Sequence, residues 1–430
     1  MTSAVLFGSF VLLLLIGVPI GIALGTASLL AISTIPFLSY DFYALGLVSG
    51  INSFTLMAVV LFTLAGNLMS RGGISRRLIA VAEAFFGTAP GGLGTVTIMA
   101  CLFFAAISGT GSATVAAIGL AMIPALVRRG YDRAYAGSMV ASAGALGVMI
   151  PPSVVMIVYA VTAGVSVSAL FLAGVLPGIL IACALILFNI YQTWRGGWEA
   201  EAQSSTWAER LARVNDAKLA LLMPFVVLGG IYGGIVTPTE SAAVAVVYAL
   251  VVSTLVYKEL RWSEIPQIML DSALLVAAVL VIIGASVGFG RIIALERIPL
   301  YLSQFVLGVT ENWIVVLLAI LVLLLIIGTF LETLAAIVIL TPVLLPMITH
   351  LGIDPIHFGI IMIVALAIGF VTPPLGANLF MAAQVGQIPY DHLVRRIFKW
   401  VLVLIAALLV ITFWPGLSLV LPKLLLGYGI

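Results

Sequence analysis

Runs of apolar residues recur along this chain from residue 3 to residue 426, and most reach the roughly 20 residues that a helix needs to cross the hydrocarbon of a bilayer. That pattern excludes most folds, because in lipid every backbone polar group must be paired internally, as in a helix or a closed barrel. The strand alternation of an outer-membrane barrel is absent, so the expected class is an all-α polytopic membrane protein. Composition agrees: 63% of the 430 residues are hydrophobic and 8% are charged, against roughly 25% charged in soluble domains. A net charge of +2, with no basic tail or aromatic-interleaved basic patch, excludes nucleic acid as a partner. The run from Ser3 to Leu30 lacks the basic start of a signal peptide and is too long for its apolar core, so it reads as a first membrane helix.

Spanning or half-spanning segments are predicted near 4–34, 54–70, 93–107, 112–127, 135–162, 169–190, 217–236, 239–257, 268–290, 312–328, 332–348, 356–388 and 397–414. Segments at 40–52, 76–90 and 294–308 are less clear and suit the interface. One long polar stretch, Trp194 to Lys218, holds Arg195, Glu199, Glu201, Glu209, Arg210, Arg213 and Asp216. Mixed charges of this kind cannot stay in lipid. The stretch divides the chain into a first membrane repeat (1–190, hairpin near 93–127), a polar linker (191–217) and a second repeat (218–430, hairpin near 312–348).

The halves match. Pro124 to Pro152 laid over Pro346 to Pro374 pairs Gly130 with Gly352, Asp132 with Asp354, Gly137 with Gly359, Gly147 with Gly369 and both double prolines, at a constant offset of 222. Arg71, Arg76, Arg77, Arg128, Arg129 and Arg133 surround the first copy, while the corresponding regions of the second hold only Arg291 and Arg297 against Glu296 and Asp354. Short cytoplasmic loops carry the Lys/Arg excess, so the copies are predicted to be inverted, with Arg129 and His350 on opposite faces, as in many secondary transporters. Lys258, Arg261, Arg395, Arg396 and Lys399 have no counterparts under this alignment.

Both copies contain breaks. Leu93 to Val127 is too short for two full spans and carries Ser108, Gly109, Thr110, Gly111 and Ser112 at its centre. A re-entrant hairpin turning at those residues fits. Glycines let the backbone turn and approach closely, and Ser and Thr hydroxyls supply uncharged oxygen ligands of the kind sodium takes. The helix returning from Ser112 presents its positive dipole end to an anion; the competing reading is tight packing of small residues. The counterpart is Gly328, Thr329, Phe330, Leu331, Glu332 and Thr333. There Glu332 can bind sodium, relay a proton or cap the returning helix, and Glu240 in Thr237 to Ser241 faces the same alternatives. Double prolines at Pro151–Pro152 and Pro373–Pro374 unwind or kink their helices. If unwound, freed carbonyls together with Ser153, Thr372 and Asn378 can complete cation sites facing the hairpin tips.

No catalytic constellation is present. His350, His357 and His392 lack zinc spacing and read as loop or interfacial residues, and Cys101 and Cys183 read as buried small hydrophobes. No phosphate loop ends in Lys-Ser/Thr, so ATP does not drive this chain. No enzyme and no cofactor is expected.

The motifs GVPIGIALG (Gly17 to Gly25), FTLAGNLM (Phe62 to Met69), SGTGSATVAAIG (Ser108 to Gly119), GVMIPPS (Gly147 to Ser153), GGIVTPTESAAVAV (Gly233 to Val246) and TPPLGANLF (Thr372 to Phe380) come in an order and spacing that resemble the large membrane subunit of tripartite ATP-independent periplasmic (TRAP) transporters over essentially the whole chain. The resemblance implies a sodium-coupled importer of small organic anions in the inner membrane, working by an elevator motion. It implies three further things: a small four-helix membrane subunit on a separate polypeptide, an extracytoplasmic solute-binding protein, and contact with membrane lipid. Mapped onto this sequence, the substrate lies among Ser108 to Ser112, Thr329, Pro373 and Asn378. Two sodium sites fall among Ser108, Gly111, Ser112, Pro151, Pro152, Ser153, Gly328, Thr329, Glu332, Thr372, Pro373 and Asn378. Proton coupling and an uncoupled anion channel remain alternatives, as does a noncatalytic membrane scaffold, although a scaffold has no use for repeated helix breaks.

Overall fold

The computed structural model describes residues 2–88, 91–198, 206–301, 304 and 312–429, which are helical with no strand among them. Nine of the described helices are long and apolar enough to cross a membrane, and a bent pair makes a tenth.

The first 34 residues differ from expectation. In place of one membrane helix there are two short ones, α1 (Thr2–Leu15) and α2 (Ile20–Ile32). Gly17, at φ 83°, turns the chain, and Pro19 lacks the N–H that a continuous helix would need. Both lie along α14 (Ile265–Leu295), with Ser3 Oγ donating to Glu296 at 3.2 Å and Gly21 against Val281 and Ile282. The tip between them therefore reaches only part-way along α14. The segment near 40–52 is α3 (Tyr40–Ile51), and that near 76–90 is the amphipathic α5 (Ile74–Phe86). Within 294–308, residues 302, 303 and 305–308 lie outside the described residues.

Between these come α4 (Met57–Arg71) and the first hairpin, α6 (Gly92–Ser108) and α7 (Gly111–Arg128). The hairpin is re-entrant, since Tyr131 Oη, just past its end, donates to the carbonyl of Gly91 at its start, 3.3 Å away. Next is a broken span: α8 (Arg133–Gly144), the single turn α9 (Leu146–Met149), and α10 (Val154–Ala163), bent by 44° at the prolines. The 30-residue α11 (Val167–Gly196) runs back. Its buried Asn189 donates to Gly91 O at 3.0 Å and accepts from Tyr135 Oη at 3.0 Å, which fastens the hairpin mouth.

The polar stretch is largely helical at its edges. α11 continues to Gly196, and α12 (Trp207–Tyr232) starts in a Thr206–Glu209 capping box; Glu199 and Glu201 lie outside the described residues. A second capping box, Thr237 with Glu240, opens α13 (Pro238–Val251), so Glu240 is a cap.

The second copy repeats these elements: hairpin helices α15 (Trp313–Phe330) and α16 (Thr333–His350), the broken pair α17 (Pro355–Gly369) and α18 (Ala377–Gly386), and then α19 (Tyr390–Phe413). A last helix, α20 (Gly416–Leu426), packs on α11. Orientation is fixed by α19. Near its start, Trp400 packs on Tyr135 at 5.6 Å and Arg396 lies 3.6 Å from Asp132, beside the first hairpin's mouth. At its end, Phe413 meets Trp313 edge-on at 6.3 Å and the Thr412 carbonyl bonds His357, beside the second mouth. The hairpins therefore open to opposite faces, with Arg129 on one and His350 on the other. Following the helices through, every Lys and Arg except Arg291, Arg297 and Lys423 lies at the first face, which the charge rule makes cytoplasmic.

Two minor expectations change. His357 is a buried helix residue, and Cys183 is exposed on α11 while Cys101 is buried.

Candidate functional site between the hairpin tips

Each tip turns where its sequence lets it. Gly109, at φ 63°, ends α6 in the left-handed region, and Thr110 stands extended at the N-cap of α7. There is no room to add a side chain: a Cβ on Gly109 would stand 3.0 Å from the carbonyl of Pro152 and 3.3 Å from the amide of Val154. One on Gly111 would stand 3.0 Å from Asn378 Nδ2 and 3.1 Å from Gly144 O. The first tip is thus seated against both breaks, its own copy's and the other's. The second tip is seated by Gly328, whose backbone touches that of Gly369 and Leu366 on α17.

The hydroxyls are anchored locally. Ser108 Oγ pairs with Thr114 Oγ1 at 3.0 Å, Thr329 Oγ1 donates to Ile326 O and Thr372 Oγ1 to Ile368 O, both at 2.7 Å. Ser153 Oγ donates to Val148 O at 2.8 Å and accepts from the amide of Met156, capping α10. Their protons are committed to these local bonds, which leaves their oxygens acceptor capacity. Asn378 differs. Its side chain is 1% exposed, and Oδ1 is buried with no hydrogen-bond donor. A buried amide oxygen left unpaired costs about 1–3 kcal/mol, and this one stands beside Gly111 at the start of α7. Thr333 Oγ1 is buried and unpaired in the same way, at the start of α16.

A cavity of about 460 Å³ opens between the tips, lined by Ser112, Thr329, Glu332, Ala377, Phe380 and Gln384 among others. Three helices begin at its wall: α7 at Gly111, α16 at Thr333 and α18 at Ala377. No Lys or Arg lines it, so positive potential there comes from backbone N–H groups and helix dipoles. Glu332 occupies the N-cap position of α16 without making a capping hydrogen bond, so the cap alternative does not describe it.

Of the predicted residues, Ser112, Thr329 and Glu332 line the cavity, while Gly111 stands against Asn378 and Gly109 against Pro152. The structure does not bring Pro151 to the cavity; that ring faces an apolar crevice with Leu78, Leu102, Pro224 and Phe225. Neither Pro373 nor Thr372 lines the cavity. Three participants went unnoticed in the sequence. Tyr390 Oη shares its one proton between the carbonyls of Pro374 at 2.8 Å and Leu375 at 2.7 Å, in the second break, and its ring stacks on Phe380 at 4.3 Å. Gln384 was detectable, as an amide within an apolar helix; the pairing of Tyr390 with the break depends on how α19 folds back and leaves no local trace.

Residues 7–417 match the family described as "Tripartite ATP-independent periplasmic transporter, DctM component". The chain belongs to the TRAP transporter large-permease family. Relatives include an isethionate TRAP transporter permease, DctMQ, of Oleidesulfovibrio alaskensis, 46% identical over 96% of this chain and 65% of its own length, so this chain spans about two thirds of that relative. The C4-dicarboxylate TRAP large permease of Rhodobacter capsulatus is 37% identical over 99% of this chain and 100% of its own. The sialic acid TRAP large permease of Vibrio cholerae is 37% identical over 97% of each chain. The fold is shared with the YdaH transporter of Alcanivorax borkumensis, at a TM-score of 0.58 and 17% identity, covering 87% of this chain and 88% of that one. TRAP permeases are transporters and not enzymes, and this one is a multi-pass protein of the inner membrane.

Proposed function

We propose that this TRAP permease imports a small organic anion by sodium-coupled alternating access, with the substrate held between the two hairpin tips. The observation that carries the reading is the convergence of three helix N-termini on one cavity without a fixed cation. Such a wall attracts a carboxylate or sulfonate. Sodium supports the same binding: the unpaired Asn378 Oδ1 and the carbonyl of Pro152 beside Gly109 are neutral oxygen donors of the kind a hard cation takes. The relatives' substrates, isethionate, C4-dicarboxylates and sialic acid, define the class to test. An elevator movement of the hairpin-bearing helices accounts for access to both faces. A small four-helix membrane subunit and an extracytoplasmic solute-binding protein complete the system.

The test is uptake of labelled organic acids into proteoliposomes holding the permease with its small subunit, with and without the binding protein, under an inward sodium or an inward proton gradient. Sodium-driven uptake that requires the binding protein supports the reading; uptake driven only by protons refutes sodium coupling. The uncapped Glu332 at the cavity wall favours one second reading, in which protons drive the cycle. Under that reading Glu332→Gln abolishes the response to a proton gradient.

A further inference from the structure

Three of the five cations without counterparts in the other copy gather at one place. Arg395, Arg396 and Lys399, on the first turns of α19, face Arg195 at the end of α11 across an open cavity of about 610 Å³. Asp132 lies 3.6 Å from Arg396, and Arg195 bonds the hydroxyl of Tyr191 at 3.1 Å. Among the described residues, no carboxylate comes within ion-pair distance of Arg195, Arg395 or Lys399. Among the described residues, positive charge therefore predominates in this concave site, which shares no lining residue with the cavity between the tips.

The floor is aromatic. Tyr135 packs on Trp198 at 4.6 Å and on Trp400 at 5.6 Å, and Trp400 is 1% exposed. Directly beside the cavity both flanking helices turn large apolar side chains outward: Phe398 and Leu402 on α19, Leu187 and Tyr191 on α11. The site therefore lies where a lipid-facing surface meets the cytoplasmic face. Phosphate binds Arg and Lys clusters through charge-assisted hydrogen bonds, and aromatic rings sit at headgroup depth. A soluble anion would use the cations and leave the neighbouring apolar faces without a role; a phospholipid uses both.

We propose that this cavity binds the phosphate headgroup of an anionic phospholipid of the inner leaflet, whose acyl chains lie along Phe398 and Leu402. The inference is independent of what the permease transports.

The test is lipid retention by native mass spectrometry of the full chain released from nanodiscs of mixed phosphatidylglycerol and phosphatidylcholine. Wild type is expected to retain phosphatidylglycerol over phosphatidylcholine. Arg395→Gln with Lys399→Gln should weaken that retention about thirtyfold, whereas Lys258→Gln with Arg261→Gln, on the same face outside the cavity, leaves it unchanged. Arg395→Lys with Lys399→Arg keeps the charge and the lipid. If the neutral pair does not fold, the wild-type competition decides: inorganic phosphate or succinate at millimolar concentration should not displace the lipid. Displacement by either identifies a soluble-anion site and overturns the proposal. Equal retention of the two lipids, or retention unchanged in a folded neutral pair, overturns it as well.

Discussion

At Gly109 a single hydrogen in place of a side chain decides whether the first hairpin can close. The residue is left-handed, which costs other residues about 1–2 kcal/mol, and a Cβ there meets the carbonyl of Pro152 at 3.0 Å. Gly109→Ala should lower uptake at least about tenfold, as 1.36 kcal/mol is a factor of ten in rate, with the protein still inserted and monodisperse. Asn378 makes a separate prediction. If its unpaired oxygen ligates sodium, Asn378→Leu should raise the sodium concentration for half-maximal uptake about tenfold, roughly 1.4 kcal/mol of binding, and an unaltered sodium dependence would remove it from the site. Ser108 to Ser112 and Asn378 were legible because small polar residues and an amide are expensive in an apolar run unless used. Glu332 was legible as an oddity but not in its role, because capping depends on a rotamer and not on position. Tyr390 was invisible, since its bond to the second break crosses between elements.

Among the elements, the hairpins and broken helices could be read because proline and glycine act locally, on the residues next to them. The helix ends bear this out: α6 stops at Ser108 and α15 at Phe330, and α7 starts at Gly111 and α16 at Thr333, each pair at the spacing seen between the double prolines. The first 34 residues misled for the opposite reason. Apolar length satisfied the requirement for a span, and the Gly17–Pro19 interruption carried too little weight against it. Outside the core, the capping box of α13 offers a check on stability alone. Thr237→Ala removes an acceptor for the amide of Glu240 and should cost about 1 kcal/mol, read as a lower melting temperature, while Thr237→Ser restores it.

The whole molecule carries its two copies upside down relative to each other, which accessibility can verify. In a Cys183→Ser background, membrane-impermeant maleimide applied to intact spheroplasts should label His350→Cys and spare Arg128→Cys; labelling of both from one side would contradict the assigned sidedness. Inversion was legible because arginines crowd one copy, while the contacts joining the copies were not, since each links residues hundreds of positions apart. The helix α19 bridges the two mouths. It is fastened beside one hairpin mouth at Arg396 and beside the other at Phe413, with roughly 26 Å of helix between them at about 1.5 Å per residue. A rod tied at both ends cannot stretch, so the mouths keep a fixed spacing. Whatever pushes one of them deeper into the bilayer lifts the other toward its own surface by the same distance.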